Sequence, residues 1–151
     1  MIINFFPPAG GGGVYRPLSF VKYLSRLSWQ VTVVTPRPGE FWISDPGLEA
    51  EIPPGVRVVR TASLSGFRML RSFRGGGRGG ASKRSSRGFG ALRRAGELLL
   101  VPDSYVGWVP FAARAAEKLC RGERFDAVYS TSPPDSSHLA ARAVARKYSI
   151  P

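Results

Sequence analysis

The order of apolar and polar positions predicts strands and helices in alternation. Residues 2–6 form an apolar run of strand length, and a double proline and four glycines follow it. Beyond them, apolar side chains recur at the intervals of a helix face: Leu18, Val21, Leu24 and Leu27. Pro17 is expected in the first turn of that helix, where its missing N–H costs nothing.

Three more short β-branched or aromatic runs predict strands at residues 31–34, 56–60 and 125–129. Two further helices are expected. One covers residues 109–121 and ends at a glycine, and the other begins after residue 134 with Asp135 or Ser136 as its N-cap. This order predicts an α/β fold with a doubly wound parallel sheet.

The four consecutive glycines are the first candidate binding element: Gly10, Gly11, Gly12 and Gly13. A glycine loop between a strand and a helix exposes backbone N–H groups at the positive end of the helix dipole. A phosphate, a carboxylate or a sugar hydroxyl fits there, because no side chain keeps the ligand from the backbone. The run is neither the spaced dinucleotide fingerprint nor a Walker loop, so a flexible turn is the alternative.

Composition narrows the class of protein. The chain has 151 residues, a formal net charge of +12 and a single cysteine, Cys120, which excludes an internal disulfide. No apolar run approaches the ~20 residues that span a bilayer. No basic segment precedes the first apolar run, as it would in a signal peptide. The expected location is the cytoplasm, and the expected partner of the positive charge is anionic.

The positive charge is concentrated in a glycine-rich insertion at about residues 67–96. No acidic residue lies between Glu51 and Glu97, whereas basic residues accumulate there: Arg68, Arg71, Arg74, Arg78, Lys83, Arg84, Arg87, Arg93 and Arg94. Mixed with phenylalanines and leucines, this segment fits an anionic membrane surface at the inner face of the cell membrane. A solvated, disordered loop and a nucleic-acid-binding segment are the alternatives.

Several stretches in order resemble the amino-terminal domain of GT-B glycosyltransferases of the family 4 type. The carrying residues are Phe5-Phe6-Pro7-Pro8 with the glycines, Val14 to Leu18, Trp29 to Thr35, Pro102-Asp103 with Gly107 to Pro110, and Phe125 to Pro134 with Ser137-His138. The stretch from Pro102 to Pro110 is similar to the subgroup that makes capsular and other surface polysaccharides. The resemblance covers the chain except the basic insertion.

The resemblance implies one half of a two-domain enzyme. Such enzymes have two Rossmann-like domains, of which the amino-terminal one binds the acceptor and the carboxyl-terminal one binds the nucleotide sugar. They retain the sugar's configuration, use a pair of glutamates in the second domain, and usually need no metal or other cofactor. This chain carries no such pair. The expectation is therefore a truncated, inactive acceptor half acting on a surface-polysaccharide or lipid-linked acceptor.

The resemblance also implies site residues. The four glycines match the loop that meets the donor phosphate or the acceptor, and Arg16 is placed to add a guanidinium to the same phosphate. Hydroxyls at the carboxyl end of the fourth predicted strand would hold acceptor hydroxyls: Ser130, Thr131 and Ser132. His138 is expected to line the cleft or to be structural, because relatives carry their histidine earlier. Trp108 is expected to stack on a ligand or, preferably, to pack in the core.

Two other functions fit parts of the chain. Residues 74–80, Arg-Gly-Gly-Gly-Arg-Gly-Gly, suggest a nucleic-acid-binding α/β module, although no aromatic residues interleave the repeat. A dehydrogenase half ranks last, because the second strand ends at Thr35-Pro36-Arg37 without the acidic residue that holds a ribose.

Overall fold

The computed structural model describes residues 1–38, 43–64 and 101–151. The basic insertion at 67–96 lies outside the described residues. Within them the fold is mixed α/β, with a two-strand parallel sheet and three α-helices. No helix in this part of the chain combines the length and apolarity that crossing a membrane requires.

The sheet consists of β1 (Thr32–Pro36) and β2 (Arg57–Thr61), paired in parallel with Thr32 opposite Arg57. Both lie one residue beyond the predicted starts, so the second and third predicted strands are confirmed. Four of the five β1 residues are buried. Such burial suits a β-branched strand that is covered on both faces.

The first and fourth predicted strands are wrong as full strands, since each is reduced to an isolated bridge. Ile2 forms parallel bridges to Val34 and to Ser130. The chain bends at residues 4 and 5 and turns at Pro7-Pro8. The Tyr129 carbonyl accepts from the Ile2 amide, whereas the Val128 amide donates to the Pro151 carbonyl, each at 2.8 Å, so adjacent residues of this segment bond different neighbours.

Helix α1 spans Gly12–Arg26 and begins earlier than predicted. Gly11 has φ +91°, a left-handed conformation that turns the chain into the helix at Gly12. Pro17 therefore lies inside the helix and not in its first turn, where it leaves the Gly13 carbonyl without the usual N–H partner. Of the predicted apolar face, Leu18 and Val21 are buried and Leu24 is half-buried, whereas Leu27 lies just beyond the helix and is 70% exposed. Val14 and Pro17 are also buried.

Helices α2 (Val109–Gly122) and α3 (Ser136–Tyr148) confirm the two later helix predictions. They pack together on the face of the sheet that carries Ile2 and Val34, in one cluster with Trp108. Val21 of α1 packs on the opposite face, against Ile3 and Val33. Alternate residues of each extended segment thus serve two cores, and helices cover both faces.

Two short 3₁₀ helices complete the fold. Pro46–Glu51 follows Asp45, whose carboxylate accepts a hydrogen bond from the Gly47 amide at 3.1 Å. Val106–Trp108 leads directly into α2. Because the extended segments are parallel, the loops that follow them share one edge of the sheet, called here the carboxyl edge. The loops that precede them share the opposite, amino edge.

Candidate functional site

The glycine run lies at the carboxyl edge, where it connects the first extended segment to α1. Gly10 is half-buried, and Gly11, Gly12 and Gly13 are exposed. A Cβ at Gly10 would lie 2.8 Å from Ile43 Cγ2, and one at Gly13 would lie 3.2 Å from Phe5 Cδ2, whereas Gly12 has open space around it. Packing therefore favours glycine at 10 and 13, and the positive φ favours it at 11.

The loop presents backbone donors to solvent. The Gly10 amide donates to the Ile43 carbonyl at 2.9 Å, and the Val14 amide donates to the Gly11 carbonyl at 3.2 Å. The intervening amides of Gly11, Gly12 and Gly13 have no acceptor within the described ranges. They are the unpaired first-turn donors of α1, where the helix dipole favours an anion.

Arg16 joins α1 to the loop after residue 130. Its Nη1 donates to Thr131 Oγ1 at 3.3 Å and to the Ser132 carbonyl at 3.1 Å. Thr131 is buried, and Arg16 is exposed. The structure thus brings together two parts of the predicted site that lie 115 residues apart in sequence. Arg16 lies one helical turn beyond Gly12 on α1.

His138 lies in the first turn of α3, after the loop in which the resembling family carries its histidine. Its Nδ1 is 2.7 Å from Ser130 Oγ, so the two side chains share a hydrogen bond. The Ser132 hydroxyl donates to Asp135 Oδ1. The four predicted residues thus form two hydrogen-bonded groups, one joining Arg16 to Thr131, Ser132 and Asp135 and the other joining Ser130 to His138.

Asp103 bonds two backbone amides at the carboxyl edge, a role that the sequence did not reveal. Its Oδ1 accepts from the Tyr105 amide and its Oδ2 accepts from the Ser136 amide, each at 2.8 Å. Asp103 thereby caps α3 from 33 residues away. Asp135 holds the predicted N-cap position, but neither its side chain nor that of Ser136 bonds an α3 amide. The sequence indicated a turn at Pro102-Asp103, but the amide that Asp103 caps lies 33 residues further along the chain.

Replacing Asp103 with alanine is expected to lower the free energy of unfolding by about 1–2 kcal/mol, the usual cost of losing a helix cap. Asp103→Asn keeps one of the two acceptor oxygens and should recover only part of that loss. Urea unfolding followed by circular dichroism measures both. Asp135→Ala is the matched control and should cost less. An equal loss in Asp135→Ala would contradict the assignment of the cap to Asp103.

Asn4 is a second residue that the sequence analysis passed over. Its side chain is 1% exposed, and neither amide atom has a hydrogen-bond partner among the described residues. The Ser136 and Ser137 hydroxyls at the start of α3 are also buried without a partner in this part of the chain. The signal was present, because Asn4 is the one polar residue in the run 2–6. Its backbone carbonyl accepts from the Thr35 hydroxyl at 3.2 Å.

Trp108 is a core residue, as preferred from sequence. The side chain is fully buried, and its Nε1 donates to Thr61 Oγ1 at 2.7 Å. Phe5 and Tyr105 make an edge-to-face contact with ring centroids 5.3 Å apart. This contact ties the segment before the glycines to the loop that holds Asp103.

The chain matches no protein-family model, no curated protein and no solved structure in three comparisons with known proteins. Inference about its function therefore depends on the geometry and on the resemblance seen in the sequence. That geometry is a row of three free amides, a guanidinium and a group of hydroxyls at one edge of a parallel sheet. Amides and a guanidinium suit a phosphate, and hydroxyls and an imidazole suit a polyhydroxylated ligand.

Proposed function

We propose that the chain is the acceptor-binding half of a retaining glycosyltransferase with the GT-B architecture. In this proposal the enzyme transfers a sugar from a nucleotide-sugar donor to a surface-polysaccharide or lipid-linked acceptor. The nucleotide sugar is a substrate that a second domain would mainly hold, and no separate cofactor is invoked. The chain alone would bind ligand without catalysing transfer.

The sheet has two strands, β1 and β2, and isolated parallel bridges join residue 2 to β1 and to residue 130. If the segments around residues 2 and 130 count as short outer strands, their order would be 4-1-2-3, which supports the Rossmann-like part of the proposal. In open parallel sheets of this kind, ligands bind at the carboxyl ends of the strands, next to the point where strand order reverses.

The observation that carries the proposal is the bridge from Arg16 to Thr131 and Ser132 beside the glycine amides. A sugar diphosphate carries negative charge and hydroxyls in one molecule. The α1 amides and Arg16 would meet the diphosphate of a lipid-linked acceptor or of the departing nucleotide. Ser130, Thr131, Ser132 and His138 would bind the hydroxyls of the acceptor sugar.

The proposal predicts that Arg16→Ala weakens binding of a sugar diphosphate by about tenfold, the effect of losing one charge-assisted contact. The probe is a short-chain prenyl diphosphate carrying one sugar, titrated into the full chain and followed by amide NMR shifts. Wild type should show perturbed Gly11, Gly12 and Gly13 amides. Arg26→Ala, at the far end of α1, is the matched control and should bind as wild type does.

Three outcomes would contradict the proposal. The first is an absence of perturbation at the glycine amides at millimolar probe. The second is an equal loss of affinity in Arg26→Ala and Arg16→Ala, which would indicate attraction by net charge alone. Perturbation by inorganic pyrophosphate that equals the perturbation by the sugar diphosphate would reduce the site to an anion site and would also count against an acceptor role.

The alternative function, a nucleic-acid-binding α/β module, depends on the Arg- and Gly-rich segment. That segment lies outside the described residues, so both this function and contact with an anionic membrane stay predictions. The net charge of +12 supports an anionic partner without distinguishing between them. The arrangement at the carboxyl edge favours the glycosyltransferase proposal, because it supplies directed donors and not only charge.

A further inference from the structure

Two adjoining grooves lie at the amino edge, opposite the site described above. Their volumes are about 490 and 500 Å³, within the range of about 300–1,000 Å³ typical of small-molecule sites. Both are lined by Ser28, Trp29, Gln30, Thr32 and Glu123. Trp29 therefore lies where the grooves meet, and its side chain is 52% exposed. The Trp29 side chain is therefore a large aromatic group that faces solvent within a groove.

The walls of the grooves are held in place. Arg57 donates from Nη1 and Nη2 to the two carboxylate oxygens of Glu123, each at 2.7 Å. The same guanidinium donates from Nε and Nη2 to Thr32 Oγ1 at 3.2 and 3.1 Å. The hydrogen bond from Arg57 lowers the pKa of Glu123, so this wall stays an ionised carboxylate at neutral pH. The backbone amide of Trp29 donates to the Leu24 carbonyl at 3.0 Å.

The charges around the grooves exclude a preference for anions. The charged lining residues are two cations and two anions: Arg57, Arg124, Glu123 and Asp126. This balance stands out in a chain of net charge +12. Helices α1 and α2 also end at this edge, at Arg26 and Gly122, and the negative ends of their dipoles repel an anion. A neutral ligand is the one that suits this environment.

We propose that the amino-edge grooves bind a neutral saccharide, with Trp29 as its stacking platform. The C–H face of a pyranose ring is apolar and packs on an indole ring, whereas its hydroxyls need donors and acceptors around the rim. Gln30, Arg124 and Asp126 supply both kinds of group on exposed side chains. The site lies at the opposite edge from Arg16, so its existence is independent of the proposed transferase function.

The test titrates the full chain with neutral tetrasaccharides, namely maltotetraose, cellotetraose and chitotetraose, by calorimetry and by the shift of the Trp29 indole N–H signal in NMR spectra. At least one should bind and shift that signal. Trp29→Ala should lower the affinity by about tenfold, since it removes the aromatic platform. Trp29→Phe should keep most of the affinity, because a ring remains.

The control variants separate this site from its surroundings. Tyr23→Ala removes an aromatic side chain that is 62% exposed and lines neither groove, and it should bind as wild type does. Arg16→Ala should also leave saccharide binding unchanged. The proposal is overturned if no tetrasaccharide binds at about 10 mM, far above typical ligand affinities, if Trp29→Ala binds as well as wild type, or if tetragalacturonate competes more strongly than the neutral sugars.

Discussion

Replacing Gly107 with alanine is expected to lower the free energy of unfolding by about 2–4 kcal/mol. A Cβ at this position would lie 2.0 Å from the Leu64 carbonyl oxygen and 2.9 Å from the Leu64 carbonyl carbon. These are backbone atoms, so no rotamer change relieves the clash. The Leu64 amide also donates to the Gly107 carbonyl at 3.4 Å, so the two backbones cannot separate without losing this contact.

The matched control is Gly122→Ala, near the end of α2, where a new Cβ would meet no atom within 4 Å. Alanine is the better helix former, so this variant should be unchanged or more stable by up to about 1 kcal/mol. Urea midpoints of wild type and both variants, measured by circular dichroism, decide the matter. A Gly107→Ala variant within about 0.5 kcal/mol of wild type, the range of ordinary surface changes, would contradict the close approach.

Local patterns in the sequence were sufficient to predict the helices and strands that bury one regular face. β1 and β2 lie one residue from their predicted starts, and α2 and α3 match their predictions closely. In each case the signal is a short β-branched run or an apolar face of helical period, which depends only on neighbours in the chain. The parallel pairing followed because strands and helices alternate.

The predictions that were wrong concern segments whose conformation depends on distant parts of the chain. Residues 125–129 have a strand composition, but the bridge to Ile2 lies at Ser130, beyond them, and the Val128 amide bonds the distant Pro151 carbonyl. The first run ends early where the chain bends at residues 4 and 5. Pro17 was expected to start the helix, yet the left-handed Gly11 starts it one turn earlier.

The candidate site also has one part that the sequence predicts and another that it does not. Its glycine loop could be found from sequence, since four consecutive glycines between a strand and a helix are a local feature. The contact from Arg16 to Thr131 joins residues 115 positions apart, and the cap from Asp103 to Ser136 joins residues 33 positions apart. Which loops meet is decided by the order of the parallel segments, and the sequence pattern predicts that order only as a class of fold.

The two edges of the sheet differ in the sign of the helix ends that they gather. The carboxyl edge holds the amino termini of α1 and α3, whereas the amino edge holds the carboxyl termini of α1 and α2. Because helix dipoles favour anions at one end and disfavour them at the other, the same backbone prepares one edge for phosphate and the other for neutral ligands. This asymmetry connects the two proposed sites to one fold.

The second large effect is expected at Trp108, where alanine should cost about 3–5 kcal/mol. The indole is fully buried in the cluster that α2 and α3 form with Ile2 and Val34, so its removal leaves a cavity between the helices and the sheet. It also removes the donor to Thr61 Oγ1. Trp108→Phe keeps much of the volume and should cost about 1–3 kcal/mol, largely for the lost hydrogen bond.

Trp29→Ala is the matched control, because the same residue type is 52% exposed there and its loss should stay within about 0.5 kcal/mol. A double variant, Trp108→Phe with Thr61→Val, separates packing from hydrogen bonding. Each single variant leaves one buried group without its partner, namely the Thr61 hydroxyl in Trp108→Phe or the indole N–H in Thr61→Val. The double variant removes both groups and should therefore lose less than the two single variants together. Strict additivity would show that the 2.7 Å contact contributes nothing and that packing alone makes Trp108 essential to the core.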